Sequence, residues 1–169
     1  LEMCGIAGIV GLNGAEISDE NIITNMLQQL HHRGPDDSGF YYEKNCTIGN
    51  KRLSIIDLKS GHQPISAGNG RYTIVYNGEL YNFKEIKSQL EKKGEKFKTE
   101  SDTEVILRGF ISQGVKIFSD LNGIFSFAIW DSKERSLILV RDNLGIKPLY
   151  YSKNEDYFVF IEEVIYEHN

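Results

Sequence analysis

The sequence has few cysteines, no excess of positive charge and no long apolar run, and each shortage excludes a class of protein. Its two cysteines, Cys4 and Cys46, are too few for a disulfide framework, and neither CxxC nor HxxxH metal spacing occurs. The formal net charge of -5, with both signs mixed along the chain, argues against a nucleic-acid partner held by a basic face. No apolar run approaches a membrane span, and the start lacks the basic and apolar regions of a signal peptide. We therefore expect a reduced, cytoplasmic protein with no metal site, no nucleic acid and no membrane partner.

The composition is that of one globular domain. The chain has 169 residues, of which 40% are hydrophobic and 25% are charged. This length is enough to bury a hydrophobic core, and the apolar fraction is too high for a disordered chain. No internal repeat, linker or low-complexity segment interrupts it.

Strand-like segments dominate the chain. Residues 3–12 combine β-branched residues with glycine, which predicts a buried strand packed closely against its neighbours. Alternating or β-branched patterns predict further strands at 39–43, 46–49, 52–57, 71–78, 123–131, 135–142, 148–151 and 156–160. Because these strands follow one another in hairpins, including an exposed glycine-rich loop at 66–72, we expect antiparallel sheets.

Three segments have helical periodicity. The first is 19–31 with Ser18 as its N-cap, and the second is 83–93 with Asn82 as its cap. The third follows Ser101, where Ser-x-x-Glu forms a capping box with Glu104. The sequence thus predicts an α+β domain in which two antiparallel sheets form a sandwich with helices outside.

Cys4 has two interpretations. A cysteine at the head of a buried strand is most often a packed core thiol. If Met3 were removed, however, Cys4 would carry a free α-amine with a pKa of about 7.7–8.0, which can serve as the base for the thiol of the same residue.

Other polar residues could complete a site, although each has an ordinary structural role. Asn77 and Gly78 could donate hydrogen bonds to one oxyanion, or they could form a simple turn. Arg52 could bind a carboxylate with its guanidinium group, or it could be a solvated charge at a strand end. Asp102 suits the first turn of a helix whatever its function.

Six motifs in one order make the sequence resemble a known family. They are Met-Cys-Gly-Ile-Ala-Gly (3–8), His-Arg-Gly-Pro-Asp (32–36), Arg-Leu-Ser-Ile-Ile-Asp (52–57), Tyr-Asn-Gly-Glu-Leu-Tyr-Asn (76–82), Ser-Asp-Thr-Glu-Val (101–105) and Arg-Asp-Asn-Leu-Gly-Ile-Lys-Pro-Leu-Tyr (141–150). This set resembles the class II glutamine amidotransferase domain of the glutamine-hydrolysing asparagine synthetases. The resemblance implies an N-terminal nucleophile (Ntn) hydrolase fold, a four-layer αββα sandwich, and an enzyme that hydrolyses glutamine to glutamate and ammonia.

The resemblance also implies roles for particular residues. Cys4 would be the nucleophile, with its α-amine as the base, and Asn77 and Gly78 would hold the oxyanion. The substrate-binding residues would be Arg52 for the α-carboxylate, Asp102 and Glu79 near the α-ammonium, and Leu53 and Ile55 along the pocket. The loop 33–36 would help to shape that pocket. No metal and no cofactor are expected in this domain.

The resemblance divides the chain into three parts. Residues 1–3 are interpreted as a scar or propeptide followed by the initiator Met, 4–160 as the glutaminase domain, and 161–169 as an altered tail. In the tail Ile161 and Glu162 depart from the family's Phe-Ala-Ser-Glu-like segment, while Phe160 and Glu163 match it. The synthetase domain, which would bind ATP and Mg, is absent, so we expect L-glutamine and a synthetase domain as partners. Whether the domain forms a homodimer is left open.

Two other functions remain open from the sequence. One is a catalytically silent module of the same fold, in which the extension 1–3 blocks Cys4 and the chain only binds glutamine or a partner domain. The other is an Ntn amidohydrolase acting on another amide, although Arg52 with Asp102 favours an amino acid substrate.

Overall fold

A computed structural model describes residues 4–19, 21–52 and 62–163 of the chain. Its elements, in chain order, are β1 (Gly5–Gly11), α1 (Asn21–Gln29), β2 (Asp37–Glu43), β3 (Cys46–Arg52), β4 (Ile65–Ala67), β5 (Tyr72–Leu80), α2 (Phe83–Lys92), α3 (Asp102–Gln113), a 3₁₀ helix (Gly114–Asp120), β6 (Gly123–Asp131), β7 (Ser136–Arg141), β8 (Tyr150–Lys153) and β9 (Tyr157–Ile161). No helix in the described ranges is long and apolar enough to cross a membrane.

The strands form two antiparallel sheets. The first has the order β2-β3-β1-β9-β8 and the second the order β4-β5-β6-β7. In the first sheet β1 is central, paired with β3 on one side and with β9 on the other. The second sheet is a meander, in which each strand pairs with the next one along the chain.

The two sheets pack face to face around an apolar core. Side chains of both sheets form one buried cluster: Ile6, Val10, Cys46, Ile48 and Phe160 from the first sheet, and Val75, Ala128 and Trp130 from the second. Burial of each valine, isoleucine or phenylalanine in this cluster contributes roughly 1.5–3 kcal/mol. The interface between the sheets is therefore a principal source of stability.

Helices cover the two outer faces. On the first sheet, α1 packs Ile23 and Leu27 against Ala7 of β1. On the second sheet, α2, α3 and the 3₁₀ helix pack onto the outer face of β5 and β6, with Leu90 and Ile106 fully buried. The result is the predicted four-layer αββα sandwich with antiparallel sheets.

The predicted helix caps are correct in part. Ser101 does cap α3, since its side chain accepts a hydrogen bond from the Thr103 N–H. The second half of the predicted capping box is wrong, because Glu104 accepts instead from the N–H groups of Lys98 and Thr99. Its carboxylate therefore holds the loop before α3 by hydrogen bonds and does not cap the helix N-terminus.

The other two predicted caps are wrong. The first helix begins at Asn21, whose N–H donates to the Asp19 carboxylate, so Ser18 is not its cap. The Asn82 side chain makes no capping bond on α2. Its Nδ2 donates to the Asp120 carbonyl and its Oδ1 accepts from the Asn122 N–H, which holds the start of α2 against the 3₁₀ helix.

Several predicted boundaries fall at the limits of the described ranges. Strand β3 continues to Arg52, and the rest of the predicted 52–57 strand lies outside the described residues, as do residues 1–3 and 164–169. Strand β9 includes Ile161, which pairs with Ala7 and with Tyr150. The first residue of the predicted tail is thus part of the first sheet.

Candidate functional site

The interior between the sheets changes from apolar to polar at one end. Side chains alternate between the two faces of a strand, so residues two apart share a face. Near the start of β1, the strand positions that face the interior hold buried polar residues instead of apolar ones. They are Asn50, Asn77, Ser126 and Glu162. Burying polar groups is costly unless they are hydrogen-bonded, so a cluster of this kind marks a candidate site.

Cys4 lies at this polar end. It directly precedes β1, is partly buried, and continues the alternation of the interior residues Ile6 and Val10. The register pairs Gly5 with Lys51, so Cys4 and Arg52 come at the same end of the neighbouring strands. The Asn77 Nδ2 donates a 2.6 Å hydrogen bond to the Cys4 carbonyl oxygen. The fold thereby joins two residues that are 73 positions apart.

The backbone N–H of Gly78 lies on the edge of β5 that faces Gln63 and Asp102. The N–H groups of Tyr76 and Leu80 donate to Gln63 Oε1 and Asp102 Oδ2, at 2.6 and 3.2 Å. Alternate residues of an antiparallel strand direct their N–H groups to one side, so the N–H of the exposed Gly78 points to that side too. A Cβ at this position would collide with the Ile124 carbonyl oxygen, so only glycine fits.

Asp102 begins α3 and is held by β5. The Tyr76 hydroxyl donates a 2.8 Å hydrogen bond to Asp102 Oδ2, and Asp102 Oδ1 accepts from the Thr103 N–H. Burial, together with the negative charge of Asp102, raises the pKa of Tyr76, so Tyr76 stays a hydrogen-bond donor. The carboxylate is therefore anchored beside the strand that carries Asn77 and Gly78.

The remaining predicted binding residues surround this region or lie outside the described residues. The loop 33–36 packs against the end of β3, where Pro35 forms a bridge with Arg52. A Cβ on Gly34 would come within 2.6 Å of the Arg52 nitrogen, so this close approach requires glycine. Glu79 is an exposed residue of β5, and Leu53 and Ile55 fall outside the described residues.

Sequence reasoning missed Glu162, which is fully buried. Its Oε2 accepts from the Ile6 N–H and from Asn77 Nδ2, at 2.9 and 2.8 Å. Its Oε1 accepts from the Ser126 hydroxyl. The sequence did contain a signal for its position. Phe158, Phe160 and Glu162 are two residues apart, so they lie on the same face of the strand, which is the face that packs into the core.

Two cations accompany the buried carboxylate. Arg33 Nη1 lies 3.9 Å from Glu162 Oε2, while Arg33 Nε makes a 2.9 Å ion pair with Glu163. Lys147 is also buried. Its pKa is lowered by this burial and by the nearby charge of Arg33, whereas Glu162 and Cys4 raise it. The polar end of the sandwich thus contains charges of both signs.

Cys46 is the core thiol of this protein. It is fully buried in the cluster between the sheets, and burial, with a smaller contribution from Glu43, raises its pKa. A neutral thiol without solvent access is a poor nucleophile. Within the described ranges, no group of three or more His, Cys, Asp or Glu residues is arranged to hold a metal ion.

Comparison with known proteins agrees with this geometry. The sequence profile of the family described as "Glutamine amidotransferase domain" matches residues 3–165, nearly the whole chain. The chain belongs to the glutamine amidotransferase domain family. The predicted resemblance is therefore confirmed, and with it the enzyme class.

Named relatives place this amidotransferase domain near one branch of the family. It is 40% identical over 164 residues to "Asparagine synthetase [glutamine-hydrolyzing] 3" of Bacillus subtilis, covering 96% of this chain and 27% of that protein. It is 38% identical over 148 residues to the "Asparagine synthetase [glutamine-hydrolyzing]" of Zea mays, covering 88% of this chain and 25% of the relative. The chain spans about a quarter of the length of these relatives.

A solved structure supports the fold. The glutamine phosphoribosylpyrophosphate amidotransferase of B. subtilis, solved with ADP and GMP, superimposes with a TM-score of 0.78 at 26% identity. The match covers 94% of the amidotransferase domain and 42% of that protein chain. The αββα architecture is accordingly the Ntn amidotransferase fold.

Proposed function

We propose that this amidotransferase domain hydrolyses the side-chain amide of L-glutamine to glutamate and ammonia, with Cys4 as the nucleophile. One observation carries the proposal: the amide nitrogen of Asn77 lies 2.6 Å from the carbonyl oxygen of Cys4. A nucleophile and a hydrogen-bond donor for the oxyanion are thus adjacent, as acyl transfer requires.

The reaction uses the free α-amine of Cys4 as its base. The amine accepts the thiol proton, and Sγ attacks the side-chain carbonyl carbon of glutamine. Asn77 Nδ2 and the Gly78 N–H stabilise the resulting oxyanion. When the C–N bond breaks, the protonated amine returns its proton to the leaving nitrogen, which departs as ammonia. Water then hydrolyses the thioester to glutamate and regenerates the thiol.

The remaining residues select the substrate. Arg52, at the end of β3, binds the α-carboxylate, and Asp102 and Glu79 lie near the α-ammonium. Leu53 and Ile55, which lie outside the described residues, are expected from the family resemblance to line the same pocket. Opposite charges set apart in a partly buried site match the head group of an amino acid, which supports glutamine over an uncharged amide. The hydrolysis itself requires no cofactor.

The ammonia is used in a second reaction. The relatives named asparagine synthetases are about four times as long as the matched region, and their names describe glutamine hydrolysis coupled to synthesis. We infer that the amidotransferase domain supplies ammonia to an ATP-dependent synthetase domain of the same kind. ATP and Mg would bind to that second domain.

Removal of residues 1–3 is expected to switch on hydrolysis. With the extension attached, the nitrogen of Cys4 is an amide and cannot act as the base, so glutamine turnover should be very slow or absent. We would measure ammonia and glutamate release by the 169-residue chain and by the chain beginning at Cys4, and verify both N-termini by intact mass.

Equal and fast turnover by both forms would contradict the proposed role of the α-amine. Glutamine binding without turnover by the form that begins at Cys4 would instead identify a silent binding module. Free glutamate should compete with glutamine, and failure to compete would favour an amidohydrolase with another substrate.

Asp102→Asn is expected to raise the KM for glutamine while changing kcat much less, because it removes a charge that faces the substrate ammonium. The matched control is Tyr76→Phe, which removes the hydroxyl bound to Asp102 Oδ2 and retains the carboxylate. Steady-state kinetics on both variants separates the two contacts. An equal rise of KM in both variants would show that glutamine binding depends on the Tyr76–Asp102 hydrogen bond and not on the charge of Asp102. An effect confined to kcat would exclude a role of Asp102 in glutamine binding.

A further inference from the structure

We propose that Glu162 is a positioning residue of this site, whose Oε2 orients the Asn77 amide so that Nδ2, and not Oδ1, faces Cys4. The contacts themselves are independent of the reaction. The consequence for catalysis rests on the proposed function, in which Asn77 stabilises the oxyanion.

The Glu162 carboxylate joins three strands of the two sheets. Oε2 accepts from the Ile6 N–H of β1 and from Asn77 Nδ2 of β5, and Oε1 accepts from the Ser126 hydroxyl of β6. Glu162 itself follows β9 and is fully buried, and its own N–H donates to the Ile6 carbonyl oxygen. A carboxylate held in this way has little rotational freedom.

The chemistry of the two neighbouring oxygens determines which way Asn77 faces. A terminal amide is nearly symmetric in shape, so only its hydrogen-bond partners distinguish nitrogen from oxygen. Asn77 Nδ2 meets two acceptors, the Cys4 carbonyl oxygen at 2.6 Å and Glu162 Oε2 at 2.8 Å. In the flipped orientation Oδ1 would face both oxygens, and the amide would lose both hydrogen bonds while buried.

This arrangement directs the second amide proton toward the nucleophile. Nδ2 carries two protons, and Glu162 holds one of them. The other is donated to the Cys4 carbonyl oxygen, on the side where the tetrahedral carbon forms, and the oxyanion would accept this proton in place of that carbonyl. Glu162 thus fixes the donor before substrate arrives, which is the condition under which an oxyanion donor is most effective.

The positioning role does not depend on the ionisation of Glu162. Burial raises its pKa, against the hydrogen bonds from Ser126, Asn77 and Ile6 and the nearby charge of Arg33. If the carboxyl binds a proton, Oε1 can carry it and donate to Ser126, because a hydroxyl both donates and accepts. Oε2 remains the acceptor for Asn77 in either state.

The test is a pair of substitutions of similar size in the chain that begins at Cys4. Glu162→Gln can place its oxygen at the Oε2 position and its NH₂ toward Ser126, so we expect kcat within roughly threefold of the parent. Glu162→Met fills the same space without an acceptor, so we expect kcat to fall roughly tenfold to a hundredfold, less than the loss of a whole oxyanion donor. KM should change less than about twofold in both, since glutamine is not contacted.

Two controls separate the positioning of Asn77 from a general effect of charge or folding. Glu163→Gln removes the neighbouring carboxylate, which pairs with Arg33 and His32 but not with Asn77, and should leave kcat unchanged. Thermal unfolding shows whether each variant is folded. If the methionine variant does not fold, Glu162→Ala, which also lacks an acceptor, should show the same fall in kcat.

A second measurement is independent of turnover. In the NMR spectrum of ¹⁵N-labelled protein, the two Asn77 side-chain protons, identified by their loss in Asn77→Ala, should be widely separated in the parent and in Glu162→Gln. They should move together in Glu162→Met. Absence of glutamine hydrolysis by the parent would overturn the proposed function but not this orientation.

Three results would overturn the positioning role: an unchanged Asn77 signal in Glu162→Met, unchanged kcat in that variant, or equal losses of kcat in the methionine and glutamine variants. An effect mainly on KM would likewise overturn it, because it would place Glu162 in substrate binding.

Discussion

Replacing Cys4 by alanine is expected to lower the rate of glutamine hydrolysis by roughly 10⁴-fold or more in the chain that begins at residue 4. Alanine retains the α-amine and fills part of the space, but it removes the sulfur atom that is proposed to form the thioester. The measurement is ammonia release at saturating glutamine, with glutamine binding measured separately by calorimetry. Binding should persist, because Arg52 and Asp102 remain.

Cys46→Ala is the matched control for this prediction. It removes the second thiol, which is fully buried between the sheets and has a raised pKa owing to burial. We expect a loss of stability of about 1–2 kcal/mol and unchanged turnover per folded molecule. Loss of hydrolysis in Cys46→Ala, with retention in Cys4→Ala, would reverse the identification of the nucleophile.

Asn77→Ala is expected to reduce kcat by roughly 10²–10³-fold, the usual effect of removing one oxyanion donor. KM should change little, because the oxyanion exists only after attack by the thiol. The substitution also leaves the Cys4 carbonyl and Glu162 Oε2 without the donor that they share. We therefore expect lower stability as well, which a thermal melt would report separately from kcat.

Asn82→Ala separates the two effects of that substitution. Asn82 also makes two hydrogen bonds, to the Asp120 carbonyl and from the Asn122 N–H, but neither involves Cys4. It should lower stability and leave kcat unchanged. If Asn77→Ala behaved in the same way, its side chain would be structural and the oxyanion role would be wrong.

Local pattern was sufficient for most of the fold. Hairpin spacing predicted the antiparallel pairs β6-β7 and β8-β9, because strands joined by a short turn pair directly. The pairing of β5 with β6, which are separated by α2, α3 and the 3₁₀ helix, was not predicted. The errors concern polar side chains with competing partners. Asn82 and Glu104 have the right spacing for caps, yet each binds other backbone groups. The partners of Asn82 are about 40 residues away and are brought near only by the fold, whereas those of Glu104 lie in the loop directly before α3. Intrinsic preference does not distinguish between such partners.

For the candidate site, the sequence named residues but not the contacts between them. Motif order identified Cys4, Asn77, Gly78 and Asp102 as candidates, and the fold places these residues around one end of the sandwich. In the sequence, Glu162 stands out only as a departure from the family pattern. A carboxylate becomes a positioning group only when particular donors surround it, and those donors come from β1, β5 and β6.

By itself the sequence determined the family and the candidate chemical residues through its motifs, and the α+β class with antiparallel sheets through the period of its apolar residues. The four αββα layers followed from the family resemblance. Only the tertiary structure decided that Asn77 meets Cys4 across 73 residues and that Glu162 holds the same amide. The physical reason is that hydrogen bonds act over about 3 Å. Such distances between remote residues follow from strand register and sheet packing, which no local pattern contains.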